Sequence, residues 1–302
     1  MFALIDFTSE QVTTAAACSM VWPMLRPIAK FGFTFGLFAC LGACASPPPA
    51  ASPPAPSASP ATPLVAAPQP ATNAATVVDA DAIVAAADRS DTDRALDAGR
   101  HPADLLRFFG VSAGQRVAEL GTGGGYTSEL LARAVGPSGK VFSQNSPFIL
   151  QRFAEKPWSE RLQKPVMANV VRVDREFDDP LPPEAKELDL VVNVLFYHDT
   201  VWQGTDRDRM NRAVFAALKS GGTYGIVDHS SRAGAALNDV KTLHRIEESV
   251  LKSEVEKAGF RLASEATFLK APDDTRDWST SPSVAGEKRG TSDRFVLAFK
   301  KP

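Results

Sequence analysis

Two groups of residues have the types and spacing that chemistry requires. The first is a turn of four glycines within five positions, Gly121, Gly123, Gly124 and Gly125, in the stretch VAELGTGGGYTSELL. Residues without a Cβ let the backbone approach a ligand closely and adopt positive φ values. A plain turn between a strand and a helix accounts for one such glycine, but not for four. We therefore expect this turn to bind a ligand.

The second group consists of two short clusters of histidine and aspartate. His198 and Asp199 follow the apolar run LDLVVNVLFY, and Asp228 and His229 follow TYGIV. A histidine beside a carboxylate can act as a general base, because the carboxylate fixes its tautomer. A divalent metal ion is the less favoured alternative, and this mixed donor set would suit zinc or manganese. In a third interpretation, HDT and DHS only cap the helices that follow them.

The elements that must position these residues alternate between strands and helices. Strands are predicted at RVAEL, KVFSQ, NVVRV, LDLVVNVLF, TYGIVD, FRLASEATFL and DRFVLAFK. Helices are predicted at TSELLARAV, DRDRMNRAVFAALK and DVKTLHRIEESVLKSEVEKAG, and two shorter ones within residues 79–110. This pattern predicts a doubly wound α/β fold, with a mostly parallel seven-stranded sheet, helices on both faces and a C-terminal antiparallel hairpin. Ligands of such sheets bind beyond the carboxyl ends of the strands, where adjacent strand ends place both clusters within reach of each other.

The glycine turn resembles motif I of the class I S-adenosylmethionine-dependent methyltransferases. That motif is an acidic residue followed by G-x-G-x-G, matched here by Glu119, Gly121, Gly123 and Gly125. A dinucleotide-binding turn requires G-x-G-x-x-G, and Tyr126 stands at its last glycine position. The segments AVGPSGKVFSQN, LDLVVNVLFYH, LKSGGTYGIVDH and EKAGFRL are similar to later elements of the family, in family order. The resemblance covers about residues 103–300.

The resemblance implies methyl transfer from S-adenosylmethionine to a small-molecule acceptor that the sequence does not identify. It implies that the three motif glycines approach the methionine moiety and that Glu119 positions the cofactor through the loop backbone. Asn145 stands where the family has a carboxylate for the ribose hydroxyls, and an amide can accept a hydrogen bond there without the charge. Asp174 resembles the residue beside the adenine, and an exposed strand-end aspartate is the alternative.

The first 44 residues resemble the signal peptide of a bacterial lipoprotein. Arg26 and Lys30 precede the apolar stretch FGFTFGLFACLGAC, which is too short to span a bilayer. LGAC resembles a lipobox, so Cys44 is the predicted lipidated N-terminus and the membrane contact. This interpretation places the protein in the bacterial cell envelope facing the periplasm, or in the cytoplasm if the signal is not used.

Composition divides the rest of the chain into a spacer and a folded domain. Residues 46–76 contain ten of the 23 prolines, which predicts a disordered Pro/Ala/Ser-rich linker over residues 45–78. Residues 79–302 are the methyltransferase-like domain, with a helical cap at 79–110 and an insertion in the last hairpin at 270–291. The length and polarity of the insertion are typical of a lid or a disordered segment.

Charge and cysteine content limit the partners. A formal charge of −2 gives no overall attraction to nucleic acid, so no nucleic-acid partner is expected. The three cysteines all precede residue 45, which excludes a disulfide framework or a cysteine metal site from the domain. The oligomeric state stays open.

Two further polar segments are predicted to be solvated helix surfaces. His244 and Arg245 fall within the last predicted helix, and a dense run of charges extends from Arg89 to Arg100. The minor alternatives are a substrate contact for the first segment and closure over the cofactor for the second.

An exported protein would not meet S-adenosylmethionine, which is made and used in the cytoplasm. Two other functions therefore stay open beside methyl transfer. One is an exported, lipid-anchored binding module without catalysis on the same fold, which Asn145 in place of an acidic residue mildly favours. The other is a metal-assisted enzyme that uses the histidine and aspartate clusters.

Overall fold

The computed structural model describes residues 78–302. The predicted signal segment, Cys44 and nearly all of the linker lie outside these residues. The helices are α1 (Ala80–Ala85), α2 (Asp91–Arg100), α3 (Pro102–Phe108), α4 (Tyr126–Val135), α5 (Pro147–Ile149), α6 (Glu155–Arg161), α7 (Tyr197–Trp202), α8 (Arg207–Ala217), α9 (Val240–Leu243) and α10 (Glu248–Lys257). Within the described part of the chain, none of the helices has the length and apolar character of a membrane span.

Seven strands form one sheet, as predicted. They are β1 (Arg116–Leu120), β2 (Lys140–Asn145), β3 (Val170–Asp174), β4 (Leu188–Val194), β5 (Leu218–His229), β6 (Arg261–Ala266) and β7 (Arg294–Lys300). Their order is β3-β2-β1-β4-β5-β7-β6, and the first five are parallel. β7 is antiparallel to both of its neighbours, so the predicted hairpin of the last two strands is confirmed and is inserted with its second strand inward.

The central strands are apolar on both faces, which the structure explains by burial. Val117, Ala118 and Leu120 of β1 are fully buried, as parallel strands covered by helices must be. Leu120 pairs with Asn193 of β4, and Asn193 pairs with Ile226 of β5. The chain that leaves each of these three strands therefore emerges at the same edge of the sheet.

The helical cap contains three helices, where the sequence predicted two. Ser90 divides the first predicted helix, because its side chain accepts a hydrogen bond from the Asp93 N–H and begins α2 as an N-cap. Pro102 begins α3 at its first position, as predicted.

A further helical stretch between β2 and β3 was not predicted. α5 continues through a π-helical turn, Leu150–Ala154, into α6. Ser146 accepts a hydrogen bond from the Ile149 N–H and Pro147 follows it, so this Ser-Pro pair is a usual helix start in the sequence. Trp158 of α6 is fully buried against the glycine turn.

The prediction of one long helix from DVKTLHRI to EKAG is wrong. The helix is interrupted between α9 and α10, where His244 has a left-handed φ of 51°. Ile246 donates its N–H to the His229 carbonyl and accepts from the Ser231 N–H, which extends β5 by a short parallel bridge. These tertiary hydrogen bonds replace the helical ones that the apolar periodicity indicated.

Arg245, predicted on a solvated surface, is instead completely buried. Its Nη1 lies 2.8 Å from Asp274 Oδ2, and the Asp274 side chain is itself 2% exposed. Asp274 also accepts from Trp278 Nε1 at 2.7 Å and from the Asp293 N–H at 2.7 Å. The buried carboxylate of Asp274 is therefore one of the groups that attach the insertion at 270–291 to the body of the domain.

Replacing Arg245 by methionine should destabilise the fold, because it leaves Asp274 buried with its cation removed. The expected loss in the free energy of unfolding is about 3–5 kcal/mol, measured by urea denaturation. Arg212→Met, an exposed arginine on α8, is the matched control and should change little. A loss for Arg245→Met as small as that of the control would contradict the buried pair.

Candidate active site

The three motif glycines differ in their surroundings: Gly121 and Gly125 are tightly packed, and Gly123 has open space beside its Cα. Gly121, Gly123 and Gly125 all have positive φ values, of 71°, 56° and 86°. A Cβ at Gly121 would lie 2.3 Å from Phe196, and one at Gly125 would lie 2.4 Å from Trp158. A Cβ at Gly123 would meet no atom within 4 Å. Of the three motif glycines, Gly123 is the one with free space in front of it.

Asn145 fixes the shape of this turn. Its Oδ1 accepts from the Gly123 N–H at 2.8 Å, and its Nδ2 donates to the Gly123 carbonyl at 3.1 Å. Gln144 Oε1 accepts from the Gly121 N–H at 3.1 Å in the same way. Both polar atoms of the Asn145 side chain are thus engaged by the main chain rather than directed at a ribose site.

Asp174 lies at the end of β3 and is exposed. Both of its carboxylate oxygens accept from Arg172 Nε at 2.9 Å, two residues earlier on the same strand. This is the geometry that the strand-end alternative describes.

Glu119 is buried beneath the turn. Its Oε2 accepts from Thr122 Oγ1 at 3.2 Å and from Ser128 Oγ, so it joins the end of β1 to the first turns of α4. Burial raises the pKa of Glu119 to about 7, although these hydroxyl hydrogen bonds act in the opposite direction. Glu119 therefore contacts the loop through side chains and is protonated in part at neutral pH.

Arg100 is a candidate binding residue that the sequence analysis assigned to a solvated surface. Its guanidinium lies over the Tyr126 ring, 4.5 Å from the centroid. Among residues 78–302 it has no hydrogen bond or ion pair, while nearby Arg89 and Arg161 are both paired with aspartates. Burial lowers the pKa of Arg100. The sequence does not predict that Arg100 lacks a partner, because it lies in a run of charged residues in which other arginines have the same local pattern.

A cavity of about 30 Å³ lies beside Arg100. Tyr126 and Thr127 of α4 line it on one side, and Val194 and Leu195 line it where β4 ends. Leu195 has a φ of 59°, which is strained for a bulky residue and is typical of functional sites. The cavity therefore lies between the start of α4 and the end of β4, shortly before the segment that carries His198.

The two predicted histidine and aspartate clusters do meet, and Asp228 joins them. Asp228 is fully buried, and its carboxylate accepts from His198 Nδ1 at 2.6 Å and from the His198 N–H at 2.8 Å. It also accepts from the His229 N–H at 2.8 Å. His229 Nδ1 lies 2.8 Å from Ser292 Oγ.

The capping interpretation of HDT is wrong, because His198 and Asp199 lie inside α7 rather than before it. Asp199 Oδ1 lies 3.2 Å from His198 Nε2 and 3.0 Å from His244 Nδ1, and it accepts from Trp202 Nε1 at 2.7 Å. His244 therefore joins the cluster from the break between α9 and α10. The sequence had placed it on a solvated helix surface, with a substrate contact as the minor alternative.

The surroundings shift the pKa values of His198 and His229 in opposite directions. Burial alone would lower the pKa of His198, but the negative charges of Asp228 and Asp199 raise it to about 10. The positive charge on His198 in turn holds the pKa of Asp199 below its usual range despite burial. Burial and the neighbouring His198 lower the pKa of His229 well below its usual value.

No protein-family model matches the sequence. The structure is similar to an S-adenosylmethionine-dependent methyltransferase from Aquifex aeolicus, with 17% identity, a TM-score of 0.50 and coverage of 74% of this chain and 100% of that one. Two weaker similarities are to a putative sarcosine dimethylglycine methyltransferase from Galdieria sulphuraria (18% identity, TM-score 0.48, 70% of this chain and 85% of that one) and to a methyltransferase from Mesorhizobium loti (15% identity, TM-score 0.46, 68% and 99%). The first of these similarities establishes a methyltransferase-like α/β fold.

The raised pKa of Glu119 predicts a pH-dependent stability. The folded state holds the Glu119 proton more tightly than the unfolded state, so this contribution is complete below the unfolded pKa and is lost as the pH rises through about 7. Between roughly pH 6 and pH 8, the wild type should lose on the order of 1 kcal/mol of unfolding free energy relative to Glu119→Gln.

Urea denaturation at the two pH values measures this difference. Glu160→Gln, at an exposed carboxylate on α6, is the control and should follow the wild type. Parallel pH profiles for the wild type and Glu119→Gln would show that Glu119 is ionised at the same pH in both states.

Proposed function

We propose that the chain is an S-adenosylmethionine-dependent methyltransferase that acts on a small-molecule acceptor. The observation that carries this proposal is the glycine turn, where Gly123 has a left-handed backbone and open space at the ligand-binding edge of the sheet. Unoccupied space around one glycine between two packed ones is what a close ligand approach requires. The fold shared with the Aquifex aeolicus methyltransferase supports the same conclusion.

The residues present fit the amino-acid end of the cofactor. A methionine moiety carries a carboxylate, and Arg100 is a half-buried guanidinium without a partner among the described residues, beside the first residues of α4. A guanidinium binds a carboxylate strongly because both groups are charged and match in shape. We therefore assign the carboxylate contact to Arg100 and the close backbone approach to Gly123.

At the ribose end of the cofactor, the side chain expected to make the contact, Asn145, is already hydrogen-bonded to the glycine turn. The amide of Asn145 is used to hold Gly123, so it acts by positioning the turn. Asp174 is paired with Arg172 at the exposed end of β3, and a contact with adenine would require this pair to open. Neither residue offers a free carboxylate to the ribose hydroxyls.

The bound cofactor would supply a methyl group that its sulfonium already activates. The protein must then hold the acceptor in line and remove a proton from it if the acceptor is a hydroxyl. His229 is the residue placed for the second task, because Ser292 engages its Nδ1 while Nε2 has no partner within residues 78–302. Full turnover by His229→Gln with an identified acceptor would exclude this role.

The second candidate function is a binding module on the same fold. It is favoured by Asn145, whose amide is hydrogen-bonded to the main chain of Gly123. An amide at the end of β2 also lacks the charge that a tight ribose contact needs. The predicted lipid anchor at Cys44, if used, would favour the same candidate.

A direct test of the cofactor site is a calorimetric titration of S-adenosylmethionine and S-adenosylhomocysteine into the wild type and Gly123→Asp. Aspartate tolerates a left-handed φ and has room at this position, so the fold should survive while the side chain fills the space. Affinity for both ligands should fall at least about tenfold, the effect of about 1.4 kcal/mol.

Gly221→Asp is the matched control, because Gly221 has a φ of 74° and open space at the opposite end of β5. It should bind both ligands like the wild type. A folded wild type that binds neither ligand would refute the methyltransferase and favour the binding module.

The role of Arg100 predicts a loss that depends on the ligand. Arg100→Gln should weaken S-adenosylmethionine by about 10–100-fold, since a charged hydrogen bond contributes about 1.5–3 kcal/mol. Methylthioadenosine, which lacks the amino-acid carboxylate, should bind the wild type and Arg100→Gln equally. Arg107→Gln, an exposed arginine of α3 paired with Asp81, is the control. Equal losses for both ligands would show that Arg100 supports the site only structurally.

A further inference from the structure

Three potential metal ligands from two separate segments converge beside His229, the proposed general base, whose ring centroid lies 5.7 Å from that of His198. His198 and Asp199 lie in the first turn of α7, and His244 lies between α9 and α10. One ligand atom from each, His198 Nε2, Asp199 Oδ1 and His244 Nδ1, lies within 4.8 Å of the other two. Asp228 and His229, which the sequence paired with them, take no part in this set.

One carboxylate oxygen of Asp199 is crowded by nitrogen atoms. Three nitrogen atoms, from His198, His244 and Trp202, approach the single oxygen Oδ1 within 3.2 Å. A carboxylate oxygen has about two lone-pair sites. Oδ2 of the same carboxylate has no hydrogen-bond partner among residues 78–302. A cation between the imidazole nitrogens and Oδ1 would use one lone pair of each ligand and leave the other lone pair of Oδ1 for Trp202.

The distances match the span of a small metal ion. Zinc binds nitrogen and oxygen at about 2.0–2.2 Å, so neighbouring ligands in a tetrahedral site lie about 3.3–3.5 Å apart. Oδ1 of Asp199 lies 3.2 Å from His198 Nε2 and 3.0 Å from His244 Nδ1. These two distances need to lengthen only slightly to admit the ion, and the two imidazole nitrogens lie within 4.8 Å of each other.

The surroundings hold both histidines in the orientation that ligation requires. The fully buried Asp228 accepts from His198 Nδ1 at 2.6 Å, which leaves Nε2 as the ligand atom. Metal-bound histidines are commonly fixed in this way by a carboxylate. His244 is held at its left-handed φ by Thr280, whose Oγ1 donates to the His244 carbonyl at 2.7 Å. Such strain persists where the surrounding structure imposes it, often at functional sites.

We propose that His198 Nε2, Asp199 and His244 Nδ1 bind one divalent transition-metal ion of the zinc class. Two imidazoles and one carboxylate leave a fourth position open, as in catalytic rather than structural zinc sites. The Asp199 and His244 side chains are 19% and 25% exposed, so a water molecule or an oxygen of the acceptor can reach that position. The site includes no residue of the glycine turn, and it therefore stands independently of the methyl donor.

Metal binding by the full chain tests this proposal. After treatment with a chelator and dialysis, the protein is titrated with Zn²⁺ by calorimetry, and with Co²⁺ by visible absorption, which reports the coordination geometry. We expect one ion per chain, with an absorption typical of a four- or five-coordinate site. His244→Ala should weaken Zn²⁺ binding more than about 100-fold, and Asp228→Asn about 10–100-fold through the orientation of His198.

His101→Ala is the matched control, because His101 is a partly exposed histidine outside the cluster, and it should bind Zn²⁺ like the wild type. Circular dichroism verifies that every variant is folded. No Zn²⁺ or Co²⁺ binding by the folded wild type, or equal binding by His244→Ala and the wild type, would overturn the proposal and leave a proton between His198 and Asp199. Titration of S-adenosylmethionine into the same preparations keeps this outcome separate from that of the cofactor site.

Discussion

The carboxylate of Asp228 is the interaction on which the polar half of the site depends. It is fully buried at the end of β5, and three N–H groups satisfy it: the ring and main chain of His198 and the main chain of His229. A buried charge is tolerated only when it is paired and hydrogen-bonded. Because two of its donors belong to α7, Asp228 fixes the start of that helix as well as the orientation of the His198 ring. The parallel register of β4 and β5, in which Val194 pairs with Val227, brings these groups together.

Phe196 connects this polar half with the glycine turn. Its ring lies against Gly121, where a Cβ would overlap it, and His198 follows two residues later. The turn after β1 and the segment after β4 therefore share a wall, since the two strands are neighbours in the sheet. A methyl donor held at this turn, as proposed above, would lie on the other side of this shared wall from the segment that carries His198. Positioning of this kind is the main contribution that methyl transfer requires of a protein.

The turn itself is preorganised by contacts that a ligand does not provide. Asn145 and Gln144 hold its main chain from β2, and Arg161 of α6 donates to the Gly124 carbonyl at 2.6 Å. Trp158 closes the space beneath Gly125. The space that these contacts leave open lies in front of the Gly123 Cα and beside the Arg100 guanidinium. A ligand bound here would therefore meet one open backbone position and one cation without a described partner.

The sequence by itself determined the sheet, the glycine turn and the edge at which the two histidine and aspartate clusters meet. Those features depend on local signals: apolar runs, glycine spacing and the rule that parallel strands end together. The resemblance to the methyltransferases added the motif boundaries, and the strand order came only with the structure. The use of Asn145 as a tether, the isolation of Arg100, the burial of Arg245 and the entry of His244 into the cluster were decided by tertiary structure. The apolar periodicity of residues 239–259 describes contacts three or four residues apart, whereas Ile246 is held by β5 and Arg245 by Asp274. Partners so distant along the chain leave no trace in local patterning, because they become neighbours only when the sheet has assembled.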